Sequence, residues 1–184
     1  MSGLKLPIGN TTMVEIEYLY KNKQNKFYAK LEFFNLTGSV KDRTALYVLT
    51  KAIKEGRLKP GQPIAEASSG NFGIGLAAIG KILGHDVHIF MPAFATEERK
   101  KLLELYGATL HLNYDEHDAF NIAMKKCHEF AKKYNAFETL QFSNYENVEA
   151  HYYGTGTEIV NEVRKFNWWI YSRNRFRRNI YRNK

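Results

Sequence analysis

Two short strings in this chain hold side chains that could act on a small molecule. The first is Asn35-Leu36-Thr37-Gly38-Ser39-Val40-Lys41-Asp42-Arg43. Its lysine falls where a helix should begin. The positive end of a helix dipole disfavours a cation there, which lowers the pKa of the amine and favours the neutral form that condenses with an aldehyde. An ordinary surface lysine beside Asp42 and Arg43 is the plainer alternative. The second string is Ser68-Ser69-Gly70-Asn71-Phe72-Gly73, between a strand and a helix. Small residues let backbone N–H groups point at an anion, and the helix N-terminus adds positive potential. A carboxylate or a phosphate fits such a loop, and so does a plain strand-to-helix turn. Neither string is specific by itself.

The elements that must position these strings follow from periodicity. Thr11 to Tyr20 alternates apolar and polar residues as a strand does, and Lys26 to Phe34 predicts a second strand. Apolar residues at Ala45, Leu46, Val48, Leu49, Ala52 and Ile53 predict a helix from Val40 to Glu55, stopped by Gly56. A regular alternation comes next. Strands are predicted at Pro63–Ala67, Val87–Met91, Thr109–Leu112 and Glu138–Gln141, and helices at Ile74–Leu83, Thr96–Tyr106 and Ala119–Tyr134. Alternating strands and helices predict an α/β fold, a parallel sheet flanked by helices. Such sheets bind ligands at the carboxyl ends of their strands.

Taken together and in order, N-x-[TS]-G-S-x-K-D-R followed by [TS]-S-G-N-x-G resembles the cysteine synthase family, pyridoxal-phosphate (PLP) enzymes of fold type II with a tryptophan synthase β-like architecture. The likeness runs from Ile8 to about Lys165. It includes Ile8-Gly9-Asn10-Thr11, Glu55-Gly56-Arg57-Leu58-Lys59-Pro60-Gly61, Gln141-Phe142, Ala150-His151-Tyr152 and Thr155-Gly156-Thr157-Glu158-Ile159.

The resemblance implies that Lys41 holds PLP as a Schiff base and moves the α-proton. It implies that Asn71 hydrogen-bonds the ring hydroxyl of the cofactor. Ser68, Ser69, Gly70 and the loop backbone would hold the α-carboxylate of the amino acid, with Phe72, Gln141 and Phe142 in the same substrate pocket. The implied reaction is a β-replacement of O-acetyl-L-serine by sulfide to give L-cysteine, with PLP as electron sink. Cystathionine formation and serine or threonine dehydration are alternatives within the same fold type. Leu36 and Thr157 stand where the family has proline. Phe72 stands where it has a threonine that helps bind the carboxylate, which opens the question of substrate. Relatives of full length are expected to be homodimers.

Composition narrows the class. The chain has 184 residues, 44% hydrophobic and 25% charged, which suits a globular α/β protein. No apolar run reaches the length of a membrane span, and the first residues lack a secretory signal, so a cytoplasmic location is expected. Cys127 is the only cysteine. It excludes an intrachain disulfide and reads as a core or half-exposed thiol. The six histidines show no spacing for a metal site and read as surface or structural groups.

The net charge of +8 is uneven. Asn167 to Lys184 holds six of the 27 basic residues and no acid, so residues 1–166 carry 21 basic against 19 acidic groups. That distribution argues against a nucleic-acid partner for the body. A basic aromatic tail that binds nucleic acid is the alternative for residues 166–184.

Past Lys165 the family pattern stops, where a glycine-rich loop that grips the PLP phosphate is expected. Read one nucleotide later with allowed codons, the stretch from Phe166 can become one containing G-T-G-S-G-G-T. The expectation is therefore a chain truncated by a frame shift near Lys165. Residues 1–35 would start a large domain, 36–144 would form a small α/β domain carrying Lys41 and the Ser-Ser-Gly-Asn loop, 145–165 would begin the return to the large domain, and 166–184 would be an out-of-frame tail. With the second domain incomplete, little activity is expected of this chain.

Overall fold

A computed structural model describes residues 5–115 and 117–163. The tail 166–184, with the frame-shift reading attached to it, lies outside the described residues.

The chain opens with an antiparallel hairpin, β1 (Met13–Tyr20) and β2 (Lys23–Lys30), in which Tyr20 pairs with Lys23. Lys21 and Asn22 alone make the turn, and both have positive φ. Two-residue turns of that hand match the right-handed twist of the strands they join. The turn sets where β2 starts, three residues before the predicted Lys26. The predicted end at Phe34 is also overturned, because Glu32–Phe34 forms a 3-10 turn.

Beyond it, α1 (Lys41–Lys54) leads to β3 (Ile64–Ala67), α2 (Asn71–Ile82), β4 (Val87–Pro92), α3 (Glu97–Leu105), β5 (Ala108–Asn113), α4 (Ala119–Tyr134) and β6 (Phe137–Glu138). The four strands form one sheet in the order β5-β4-β3-β6, every pairing parallel. The α/β expectation, parallel strands flanked by helices, holds.

Two boundaries differ from the sequence reading where the site is concerned. Helix α2 begins at Asn71, so Asn71, Phe72 and Gly73 are helical and the loop is Ser68–Gly70. Strand β6 ends at Glu138, so Gln141 lies in a turn. The segment then closes with α5 (Glu146–Ala150), a π-helical turn (His151–Gly156) and α6 (Thr157–Glu162).

Both faces of the sheet are covered. One packs Leu49, Leu58, Ile64, Leu76, Ile79, Ile89 and Leu103, with α1, α2 and α3 supplying the helical share. The other sets Ala65, Ala67 and Phe90 against Ala123, Cys127 and Ala131 of α4. Cys127 is thus a core thiol, and burial raises its pKa. Near-continuous burial of β3 is what a central parallel strand requires.

Two glycines permit the close approach of α2. A Cβ on Gly80 would meet Val87 Cγ2 at 2.5 Å, and one on Gly75 would meet Asp42 Oδ1 at 2.7 Å. The second contact brings the first turn of α1 onto α2, and so sets the two chemical strings side by side.

Candidate active site

Lys41 is the first residue of α1. The loop before it is held by Asp42, whose carboxylate accepts the Thr37 N–H at 2.6 Å and the Thr37 hydroxyl at 2.5 Å. Asp42 is buried, and burial raises its pKa against those hydrogen bonds. The Lys41 N–H donates to Ser39 Oγ at 3.2 Å.

The Lys41 amine is half-buried, and burial lowers its pKa. Among the described residues no carboxylate offsets that loss of hydration. The direction agrees with the sequence reading, and desolvation adds to the effect of a helix start on a cation.

Arg43 anchors the helix two residues on. Its guanidinium pairs with Glu32 at 2.7 Å and with Glu158 at 2.6 Å. Burial would raise the Glu158 carboxyl, but hydrogen bonds from Arg43, the Asn10 N–H and Lys30 outweigh it and hold the pKa at about 2. Burial opposes the same outcome at Glu32, where hydrogen bonds from Arg43, Thr11 and Asn35 keep the pKa low. The network joins α1 to residues 9–32 on one side and to α6 on the other.

The loop after β3 offers backbone donors. Ser68 is buried, and its Oγ accepts the N–H of Gly73 at 3.2 Å and that of Gly70 at 3.4 Å. Ser69 is half-buried and Asn71 exposed. Among the described residues, the N–H groups of Ser69, Asn71 and Phe72 meet no acceptor. Three donors at the start of a twelve-residue helix make a cradle for an anion. Gly70 caps the helix with nothing within 4 Å of a Cβ placed there, which leaves the approach open. Phe72 is 3% exposed and packs in the core.

Gln141 Nε2 donates to Ala67 O at 3.1 Å, which brings the turn after β6 to the end of β3. Phe142 packs edge-to-face on Phe120, with ring centroids 5.2 Å apart. The strings containing Lys41, Ser68–Asn71 and Gln141–Phe142 therefore converge at one end of the sheet.

Two groups escaped the sequence reading. His151, read there as surface or structural, is half-buried, with Thr155 Oγ1 at 3.1 Å from its Nδ1. Burial first, then the charges of Lys41 and Arg43, pull its pKa down to about 4, so it is neutral beside the lysine at neutral pH. Its place after Ala150 in the family-like string was the available signal. Glu66 is buried inside β3 and had no signal beyond a charge in an apolar run. Among the described residues, no group of three or more His, Cys, Asp or Glu side chains could hold a metal ion.

Comparison with known proteins agrees with this geometry. The family described as pyridoxal-phosphate dependent enzyme matches residues 4–172. Cysteine synthase of Staphylococcus aureus is 40% identical over 155 residues, 84% of this chain and 50% of its own length. Cysteine synthase B of Escherichia coli is 38% identical over 159 residues, 86% of this chain and 52% of its own.

Among solved structures, a hydrogen sulfide-producing enzyme from Fusobacterium nucleatum superposes with a TM-score of 0.83 at 46% identity, covering 86% of this chain and 48% of that one. O-acetyl serine sulfhydrylase isoform 3 from Entamoeba histolytica gives 0.76 at 39% identity, over 86% and 48%. The likeness supports the fold-type-II architecture. The chain spans about half the length of the curated relatives it matches.

Proposed function

Because the chain belongs to the pyridoxal-phosphate dependent enzyme family, we propose that it carries the amino-acid-binding part of a β-replacement site that makes L-cysteine from O-acetyl-L-serine and sulfide. The observation that carries this is the half-buried Lys41 amine, without a carboxylate partner among the described residues, on the first turn of α1 where that turn packs onto α2. The donor set fits the cofactor. Lys41 would hold PLP and Asn71 would face its ring hydroxyl, and the group when bound supplies an electron sink for the Cα–H bond. The lowered pKa of Lys41 lets its amine take a proton from Cα and return it.

Ser69 and the N–H groups of Asn71 and Phe72 orient the α-carboxylate, with Ser68 and Gly70 shaping the loop around them. Gln141 and Phe142 close the side of the pocket. Phe72 acts through its N–H, since its ring is in the core. Neutral His151 adds no second positive charge beside Lys41.

The same reading makes residues 36–144 the small domain, with 1–35 and 145–165 belonging to a larger one. It also includes a cytoplasmic homodimer with small-molecule substrates. Among the described residues, no helix is long and apolar enough to cross a membrane.

A second reading has a specific observation behind it. The hydrogen sulfide-producing relative shares 46% identity, above the 40% of the curated cysteine synthases. On this reading the same residues act on a sulfur amino acid, with sulfide as leaving group instead of incoming nucleophile.

The test is borohydride reduction of the PLP-treated chain followed by peptide mapping. The pyridoxyl group is expected on the Lys41 peptide and absent from Lys41→Ala. Label scattered over surface lysines would overturn the site. Parallel assays for cysteine formed from O-acetyl-L-serine and for sulfide released from cysteine separate the two reactions.

A further inference from the structure

Strand β3 reads Ile64-Ala65-Glu66-Ala67, and all four residues are buried. A carboxylate there needs hydrogen-bond partners, because an unpaired buried charge is costly. Glu66 is 2% exposed. Its Oε1 accepts the Ala67 N–H at 2.9 Å. Its Oε2 accepts the Gln141 N–H at 3.2 Å and also the Thr139 hydroxyl. The two backbone donors address different oxygens, so the geometry asks for an acceptor at both positions. Glutamine would turn its NH2 toward one of them, and an aliphatic side chain would leave both unmet.

These bonds reach the residues directly before Phe142. Further bonds hold the same segment. Gln141 Nε2 donates to Ala67 O at 3.1 Å, and Asn147 Nδ2 donates to Gln141 O. Leu140, between the two residues that Glu66 grips, has a φ of 51°. A leucine in the left-handed region is a strained conformation that surrounding contacts must hold in place. The carboxylate clamps that segment from both sides.

We propose that Glu66 is a positioning residue whose ionised carboxylate holds the Thr139–Phe142 segment against the end of β3, so that Gln141 and Phe142 close the substrate pocket only while Glu66 is charged. This rests on the pocket assignment above.

The surroundings place that charge change in the neutral range. Burial pushes the Glu66 carboxyl up to about 7 against the hydrogen bonds from Thr139, Gln141 and Ala67. On β6, Glu138 adds a like charge. On α4, Cys127 faces the same interior, and His128 pairs with Glu138 at 2.9 Å. Lys125 of α4 lines, with Glu66, Glu138 and Phe142, a groove of about 380 Å³. On β4 the residue in register is the apolar Ile89, and the lone titratable group of α2 is Lys81 near its far end. Above pH 7 both oxygens accept. Below it one carries a proton, and its bond to a facing N–H weakens.

The first measurement is hydrogen exchange at the Gln141 amide in the full chain, corrected for intrinsic pH dependence. Protection should fall about tenfold from about pH 8 to about pH 6, the loss expected for one charge-assisted hydrogen bond. In E66Q it should be low at both pH values, with the amides of α1 and β4 unchanged. Thr139→Val removes one donor and keeps both backbone bonds, so its transition should move to higher pH.

The second measurement is the affinity of the PLP-treated chain for O-acetyl-L-serine, which should follow the same pH transition in the wild type and be weak throughout in E66Q. A Gln141 amide equally protected in wild type and E66Q, or flat across this pH range, overturns the proposal. If the amide behaves as expected while wild type binds no amino acid at either pH, the positioning of the segment stands and the pocket assignment falls.

Discussion

In the four-stranded sheet β3 is buried at every residue, between two neighbouring strands and helices on both faces. In the β1–β2 hairpin Ile16, Tyr18, Leu19, Tyr20 and Phe27 remain exposed, Leu19 at 77%. Both regions satisfy their backbones by strand pairing. The sheet also buries its side chains, whereas the hairpin presents most of them to solvent. Two-stranded ribbons are marginal on pairing alone, so this one depends on what ties its ends down. The ties are ionic: Lys30 reaches Glu158 and Glu162, and Glu32 and Glu158 share Arg43 of α1.

Breaking those ties should separate the two regions most sharply. Glu158→Ala leaves the buried Arg43 with one of its two carboxylate partners and should cost about 3–5 kcal/mol. Residue-resolved hydrogen exchange should then show hairpin amides opening before those of the sheet. Loss of protection at one rate everywhere would mean that the regions unfold as a unit.

Acid probes the same joint reversibly. The folded pKa of Glu158 is about 2 against 4.5 for the free group, so its stabilisation is complete above pH 4.5 and lost as pH falls toward 2. The shift corresponds to at most about 3 kcal/mol, less whatever solvent screening removes. Urea midpoints measured down the acid range should track it, and Glu158→Gln should flatten that dependence.

On the sheet side, Gly75→Ala drives a methyl group onto Asp42 and should cost about 1–3 kcal/mol. Thermal unfolding and PLP capture at Lys41 should both suffer while hairpin exchange is unaffected. Leu19→Ser should change stability by less than about 0.5 kcal/mol while reducing light scattering from self-association. A larger loss would show that Leu19 is covered in solution.

Much of this was legible in the residues. Helix α4 matches its predicted bounds, because Ala119, Ala123, Cys127 and Ala131 repeat at helical spacing. Periodicity alone puts the string around Lys41 at a helix start and the string around Ser68 at a strand end. Boundaries failed where a long-range partner decides them. Gln141 looks like a strand residue, but it lies in a turn whose N–H the Glu66 carboxylate accepts. Asn71 to Gly73 read as loop because no side chain caps α2. The environments of His151 and Glu66 come from contacts with distant residues, which no local pattern carries.

The parallel register of the sheet also has a consequence in time. Ile64 pairs with Phe137, and Glu66 meets Thr139 across 73 residues of chain. Closing so long a loop carries a large entropy cost, so such contacts form late. On the ribosome, the Lys41 helix and the Ser68–Gly70 loop are synthesised well before Gln141 emerges. Pulse-labelled exchange during refolding should therefore find the Gln141 amide among the last to gain protection, which makes closure of the pocket a late event in the life of each new chain.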